Sequence, residues 1–188
     1  MTLYRNQYRI ESGRRLGWDY ASAAWYFVTL CTQDRACFFG DVVHGEAKLS
    51  PIGRAAYDQW LEITSHYRNV ETDAFVVMPN HVHGVVALGK HPYSKASNIE
   101  ESPAPITSQL ASPRPGSLAA IVRSYKAGVT RWCRSNGFQN FQWQSRFYDR
   151  IILGPTMLDT IRGYIADNPI NWLEDENYRD VASYVSTP

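Results

Sequence analysis

Two histidines one residue apart, His81 and His83, are the sharpest chemical signal in this chain. They open the run His81-Val82-His83-Gly84-Val85-Val86, whose apolar, β-branched character predicts a strand. Alternate side chains of a strand share a face, so both imidazoles point the same way while Val82 packs on the other side. Two imidazoles side by side on an otherwise apolar strand need a polar partner, and a divalent metal serves both at once. The spacing alone is also met by one core histidine satisfied by hydrogen bonds beside a second, exposed one. A metal site needs at least a third ligand.

Residues 154–168 offer one. Gly154-Pro155 opens a helix that must end at Pro169, because proline disfavours the helical conformation of the residue before it. Leu158, Ile161 and Ile165 form its apolar stripe, and Tyr164 and Asn168, four residues apart, share a neighbouring face. An asparagine carbonyl oxygen suits a hard ion such as Mg²⁺ or Mn²⁺, and two imidazoles plus one amide leave positions open for substrate oxygens. A tyrosine one turn away hangs its phenol over those positions. Each residue also has an ordinary use, Tyr164 as an amphipathic helix residue and Asn168 as a helix end; only the combination is informative.

The other elements must hold these two segments together. Residues 25–32, Trp-Tyr-Phe-Val-Thr-Leu-Cys-Thr, read as a strand, and residues 38–43 and 46–49 as a hairpin turning at His44-Gly45. Ser50-Pro51 starts a helix whose apolar residues, Ile52 through Trp60 and Ile63 to Tyr67, recur near the helical period. Residues 74–78 and 81–88 are two strands, or one bent strand, around Pro79-Asn80. Ser117 caps a second helix, with Leu118, Ile121, Val122, Tyr125, Val129, Trp132 and Cys133 on one stripe, and residues 147–153 form a further strand. Between them, residues 89–116 are proline- and serine-rich without periodicity, and are expected to be a flexible insertion in a single domain spanning 1–188. No repeat is visible. The expected class is an α+β sandwich, a mostly antiparallel central sheet with helices packed on one face.

Charge points to a partner. The net charge of +1 conceals two basic blocks. Residues 1–18 carry four arginines, Arg14 and Arg15 among them, against Glu11. Residues 113–150 carry seven basic groups against Asp149 alone. Arg123, Lys126, Arg131 and Arg134 fall mostly off the apolar stripe of the second helix, and Arg146 and Arg150 follow it. Such a distribution suits a polyanion, although a solvated helix face looks the same from charge alone. An aromatic content of 13% supplies stacking platforms as well as core, with Trp143 and Phe147 as candidates.

Composition excludes several classes. With 188 residues, 44% apolar and 20% charged, the chain builds a real core and is not disordered by composition. Its apolar runs are too short to span a bilayer and no basic start precedes an apolar stretch, so neither secretion nor a membrane partner is expected. Three cysteines without a Cys-x-x-Cys fit neither a disulfide scaffold nor a cysteine zinc finger, and suit a reducing cytosol.

These blocks, in this order, resemble a known family. AFVVMPNHVHGVV (74–86) and IRGYIADNPINW (161–172) are similar to the single-tyrosine HUH transposases, above all the REP-associated tyrosine transposases and their domesticated relatives. The likeness extends through LGWDYASAAWYFVTLCTQDRACFFG (16–40), GSLAAIVRSYKAGVTRW (116–132) and FQWQSRFYDRII (141–152), nearly the whole chain. It implies the ferredoxin-like or RRM-like HUH fold, with His81, His83 and Asn168 as ligands of a divalent metal, Mg²⁺ or Mn²⁺, and Tyr164 as nucleophile. One departure is Arg150, where members of the family often carry a histidine.

The mechanism so implied is cleavage of single-stranded or hairpin DNA by attack of Tyr164, leaving a 5′-phosphotyrosyl link and a free 3′-hydroxyl, with rejoining by reversal. The metal acts as Lewis acid on the scissile phosphate, and the phenol, with an ordinary pKa near 10, needs help to lose its proton. Arg14, Arg15, the 116–134 helix, Arg146 and Arg150 are expected to hold phosphates, and Trp143 to stack on bases. The reading is a DNA nicking and strand-transfer enzyme of the cytoplasm, monomeric or homodimeric. The alternative, from another class, is a hairpin DNA- or RNA-binding regulator that keeps the scaffold without cutting. Loss of a histidine, Tyr164 or Asn168 would have favoured it, and all four are present.

Overall fold

The computed structural model describes residues 17–89 and 113–179, together with two short paired strands, β1 (Leu3–Tyr4) and β2 (Tyr8–Arg9). Arg14, Arg15 and most of the expected insertion at 89–116 lie outside the described residues.

The centre of the molecule is a four-stranded sheet of β3 (Ala24–Cys31), β6 (Val70–Met78), β7 (His81–Leu88) and β8 (Tyr148–Ile152), in the order β6-β7-β3-β8 with every neighbouring pair antiparallel. All residues of β3 and β7 are buried. That explains why they read as continuous apolar runs: both faces of these central strands are covered, so neither face needs to be polar. Pro79-Asn80 joins β6 to β7 by a tight turn, so this stretch is two strands. β6 begins four residues before the expected Ala74, because Val70 to Thr72 pair with Val86 to Leu88 beyond an irregularity. A separate hairpin, β4 (Gly40–Val43) and β5 (Glu46–Leu49), turns on His44 and Gly45, both with positive φ, as a two-residue primed turn requires.

Helix α1 (Pro51–Leu61) starts where expected, with Ser50 Oγ accepting from Gly53 N–H at 3.1 Å and proline in the first turn. It stops at Leu61, and Ile63–His66 form a separate short helix, α2, so the expected single helix to Tyr67 is divided at Glu62. Helix α3 (Leu118–Ser135) is capped by Ser117, and α4 (Pro155–Asp167) opens on Pro155. None of the described helices is long and apolar enough to cross a membrane.

The strand parity splits the core in two. Tyr26, Val28, Leu30, Val82, Val86 and Leu88 face α1 and α3. Trp25, Phe27, Val85, Ala87 and Ile152 face α4 through Leu158, Ile161 and Ile165. The α+β class and antiparallel sheet stand as expected. The one-face arrangement holds for α1 and α3, whereas α4 covers the opposite face. A helix's apolar stripe says that it docks; it does not say on which side. The sheet here is apolar on both faces and needs two covers. On the α1 side Gly84 is essential for contact, since a Cβ there would lie 2.2 Å from Cζ2 of Trp60.

Candidate active site

Parity also places the chemistry. His81 and His83 are odd-numbered residues of β7, so they point to the α4 face with Val85 and Ala87. Their rings lie 4.3 Å apart, centroid to centroid, and both are buried. Each is held from behind. Nδ1 of His81 is 2.9 Å from Oδ1 of Asn80, and Nδ1 of His83 is 3.0 Å from Oγ1 of Thr29. The amide nitrogen of Asn80 donates to the carbonyls of Arg35 and Asn177, so Oδ1 faces His81 as acceptor. His81 therefore carries its proton on Nδ1 and presents the lone pair of Nε2 to the site.

Helix α4 brings Tyr164 and Asn168 to the same place. The Tyr164 hydroxyl is 3.2 Å from Nε2 of His83, and its ring meets Phe27 edge-on at 6.0 Å. Asn168 is buried at the C-terminal end of α4. Beyond it the chain turns through Pro169 to Asn171 and a 3₁₀ turn, Trp172–Glu174, and returns Asp175 to the site. Asn168 Nδ2 donates to Asp175 Oδ2 at 2.8 Å, and the Tyr164 hydroxyl is 3.4 Å from the same oxygen. The potential ligand atoms of His81, His83 and Asp175 all lie within 4.8 Å of one another.

Asp175 is the candidate ligand that the sequence reading did not name. It sits in the acidic stretch Glu174-Asp175-Glu176, which looks like surface charge, and only the return of the chain makes it part of the site. Asn80 and Thr29, which orient the two imidazoles, were likewise hidden as a turn residue and a strand residue.

The electrostatics follow from burial and from these contacts. Burial, then the neighbouring His83, pushes His81 well below the usual histidine range. Burial opposes ionisation of Asp175, but the His83 ring 4.0 Å away and hydrogen bonds from Asn168 and the Asn177 N–H outweigh it and hold the carboxyl below the usual range. Burial, then the Asp175 charge, pushes the Tyr164 phenol upward. Within this site, among the described residues, the buried acceptors His81 Nε2 and Asn168 Oδ1 have no hydrogen-bond partner. Neither can donate to the other, and a buried orphan is costly. A cation resolves both. Two imidazole nitrogens, an amide oxygen and a carboxylate form a donor set that could hold a divalent ion.

The basic residues of α3 lie elsewhere. Arg123, Arg131 and Arg134 are exposed on α3, which packs against the sheet face opposite Tyr164. Arg131, Arg134, Thr130, Trp143 and Gln144 line an open groove of about 500 Å³. Lys126 also borders it, but its Nζ donates to the carbonyls of Gln144 and Arg146 and sits 5.4 Å from the Trp143 ring. Burial lowers its pKa to about 8. Trp143 is half-buried, donates to the Lys126 carbonyl at 3.1 Å and packs on Phe39, Phe141 and Tyr125, so core packing engages the ring expected to stack on bases. Arg146 and Arg150 are exposed.

No protein-family model matches the chain. An uncharacterized protein of Haemophilus influenzae (strain ATCC 51907 / DSM 11121 / KW20 / Rd) is 32% identical over 168 residues, covering 87% of this chain and 89% of that one. Among solved structures, a REP-associated tyrosine transposase bound to a REP hairpin aligns over 87% of this chain and 74% of its own, with TM-score 0.55 and 18% identity. At that identity the likeness is one of fold.

Proposed function

We propose that this chain, which belongs to one family with the Haemophilus influenzae protein and carries a transposase-like fold, is a metal-dependent endonuclease and strand transferase for single-stranded or hairpin DNA. The observation that carries the reading is the juxtaposition of the Tyr164 phenol, 3.2 Å from His83 Nε2, with two buried, unpartnered acceptors on His81 and Asn168. A nucleophile beside an incomplete cation site is the arrangement that phosphoryl transfer to tyrosine needs.

His81, His83 and Asn168, with Asp175 added, would hold the ion, Mg²⁺ or Mn²⁺. When bound, that ion supplies Lewis acidity to the scissile phosphate. The residues of the chain do the rest. Phe27 and the α4 stripe hold the Tyr164 ring against the sheet. Burial and the Asp175 charge raise the phenol further above its ordinary range, so Tyr164 is protonated at neutral pH and must give up that proton as it attacks. The Tyr164 oxygen then bonds to phosphorus as the bond from phosphorus to the 3′ oxygen breaks. The phenolic proton leaves to solvent, and the departing 3′ oxygen takes one from it. The product is a 5′-phosphotyrosine, and attack by another 3′-hydroxyl rejoins the strand. Exposed arginines on α3 and after it would hold phosphates of the substrate.

The test is incubation of hairpin-bearing single strands with the full chain and Mn²⁺. A covalent protein–DNA adduct mapped by mass spectrometry to Tyr164 is expected. Tight hairpin binding with no adduct under any divalent ion would favour the non-cleaving regulator.

A further inference from the structure

β8 is the outer strand of the sheet, and its side chains alternate between the two faces. Asp149 pairs in register with Val28 and is buried on the α3 side. Tyr148 and Arg150 point the other way, opposite Thr29 and Phe27. Those two β3 residues back the candidate nucleophile: Thr29 holds His83 Nδ1, and Phe27 stacks on the His83 ring at 5.2 Å and touches the Tyr164 ring. Tyr148 thus stands two strand spacings from His83, about 10 Å along the same cross-strand row. Arg150 occupies the next row on that face.

These two residues differ from everything inward of them. Thr29, Phe27 and His83 are buried, whereas Tyr148 is 41% exposed and Arg150 is exposed too. Helix α4 covers Ile152, the next residue on that face, and leaves Tyr148 and Arg150 uncovered. Arg150 forms no ion pair among the described residues. An aromatic ring and a free guanidinium therefore stand side by side on the catalytic face, on the opposite side of the sheet from the α3 groove.

We propose that Tyr148 and Arg150 form a track for the unpaired nucleotides flanking the scissile phosphate. The inference rests on the reading of Tyr164 as nucleophile. Tyr148 offers its ring to a base, and Arg150 holds a neighbouring phosphate. Stacking requires an open base face, which a duplex hides, so the track selects single-stranded DNA. The α3 arginines, across the sheet, meet a different part of the substrate.

The test is fluorescence anisotropy in EDTA, where cutting does not interfere, with two probes: a blunt DNA hairpin and the same hairpin carrying a single-stranded extension. The extension should tighten wild-type binding. Tyr148→Ala and Arg150→Gln should each lose about tenfold on the extended probe and nothing on the blunt one, while Tyr148→Phe keeps the wild-type affinity. Melting curves that coincide with wild type exclude misfolding, and both side chains are exposed. The track is overturned if the extension adds nothing to wild-type binding, if the variants bind the extended probe normally, or if both probes weaken equally. A parallel adduct assay separates the two readings. A Tyr164 adduct with normal binding by Tyr148→Ala refutes the track alone. Binding that needs both the extension and Tyr148, without any adduct, supports the track and refutes the nuclease.

Discussion

The Tyr164 hydroxyl lies 3.2 Å from Nε2 of His83, although the two residues are 81 positions apart in the sequence. Helix α4 and strand β7 make the contact by packing through Ile161, Ile165 and Val85. The geometry places the proposed nucleophile in contact with the histidine pair. Replacing His81 or His83 by alanine should therefore abolish cleavage while hairpin affinity stays within a few fold, because the proposed phosphate contacts lie on other residues. Cleavage in Mn²⁺ after EDTA treatment, compared with anisotropy on the same oligonucleotide, measures both. Wild-type cleavage by either variant would remove the histidines from the metal set.

Asp175→Asn preserves the shape of the side chain and removes its charge. Mn²⁺ should stabilise the wild-type chain against heat, because the ion binds the folded site and not the unfolded chain. In Asp175→Asn that rise in Tm should shrink by half or more, since one ligand of the set is weakened. An undiminished shift would leave the ion to His81, His83 and Asn168 alone.

Much of this site was legible in the sequence, and the missing part has a physical reason. His81, His83, Tyr164 and Asn168 sit on elements whose local periodicity orients their side chains, so spacing alone brings each pair to one face. Asp175 enters through a turn and a 3₁₀ segment, where no period links sequence to direction. The same holds for the fold. Strands β3 and β7 and helix α3 were evident from composition and stripe. The early start of β6 was not, because Val70-Glu71-Thr72-Asp73 is polar by pattern and becomes strand through pairing with β7. The face chosen by α4 is a tertiary matter that no stripe encodes. Lys126 carries the opposite lesson: by charge it belongs with the phosphate binders, yet its ammonium is already held by two carbonyls.

That difference predicts a pH signature. The folded pKa of Lys126, about 8, lies below its unfolded value near 10.4. Between them the unfolded chain binds more protons, so stability rises with pH in that window. Urea unfolding of wild type and Lys126→Met should show the wild-type advantage growing from about pH 8 to about pH 10 and flat below. A difference independent of pH would mean that Lys126 is solvated.

Gly84 is the residue that lets Trp60 lie flat on β7, directly behind His83. A methyl group there meets the indole at 2.2 Å, and the ring is buried and stacked on Phe75. Gly84→Ala should cost about 1–3 kcal/mol. The expected fall in Tm is several degrees, read by calorimetry. A neutral result would show that α1 shifts freely on the sheet.

Tyr164 and Tyr125 provide the sharpest discrimination, since both sit on amphipathic helices and both rings touch the aromatic core of their own face. Tyr125 is 3% exposed, and its hydroxyl donates to the Ala56 carbonyl at 3.0 Å, which joins α3 to α1 on the side away from the histidines. Tyr164 is 45% exposed, and its hydroxyl faces His83 and Asp175. Removing the Tyr125 oxygen therefore costs a buried hydrogen bond, about 1 kcal/mol of stability, and leaves the chemistry in place. Removing the Tyr164 oxygen deletes the proposed nucleophile while leaving the ring and its contact with Phe27. Tyr164→Phe should fold with an unchanged Tm, bind hairpin DNA as wild type does and form no covalent adduct. Tyr125→Phe should melt earlier and still form one. Mass spectrometry of the trapped adduct decides the matter, because a nucleotide on any tyrosine other than Tyr164 refutes the assignment.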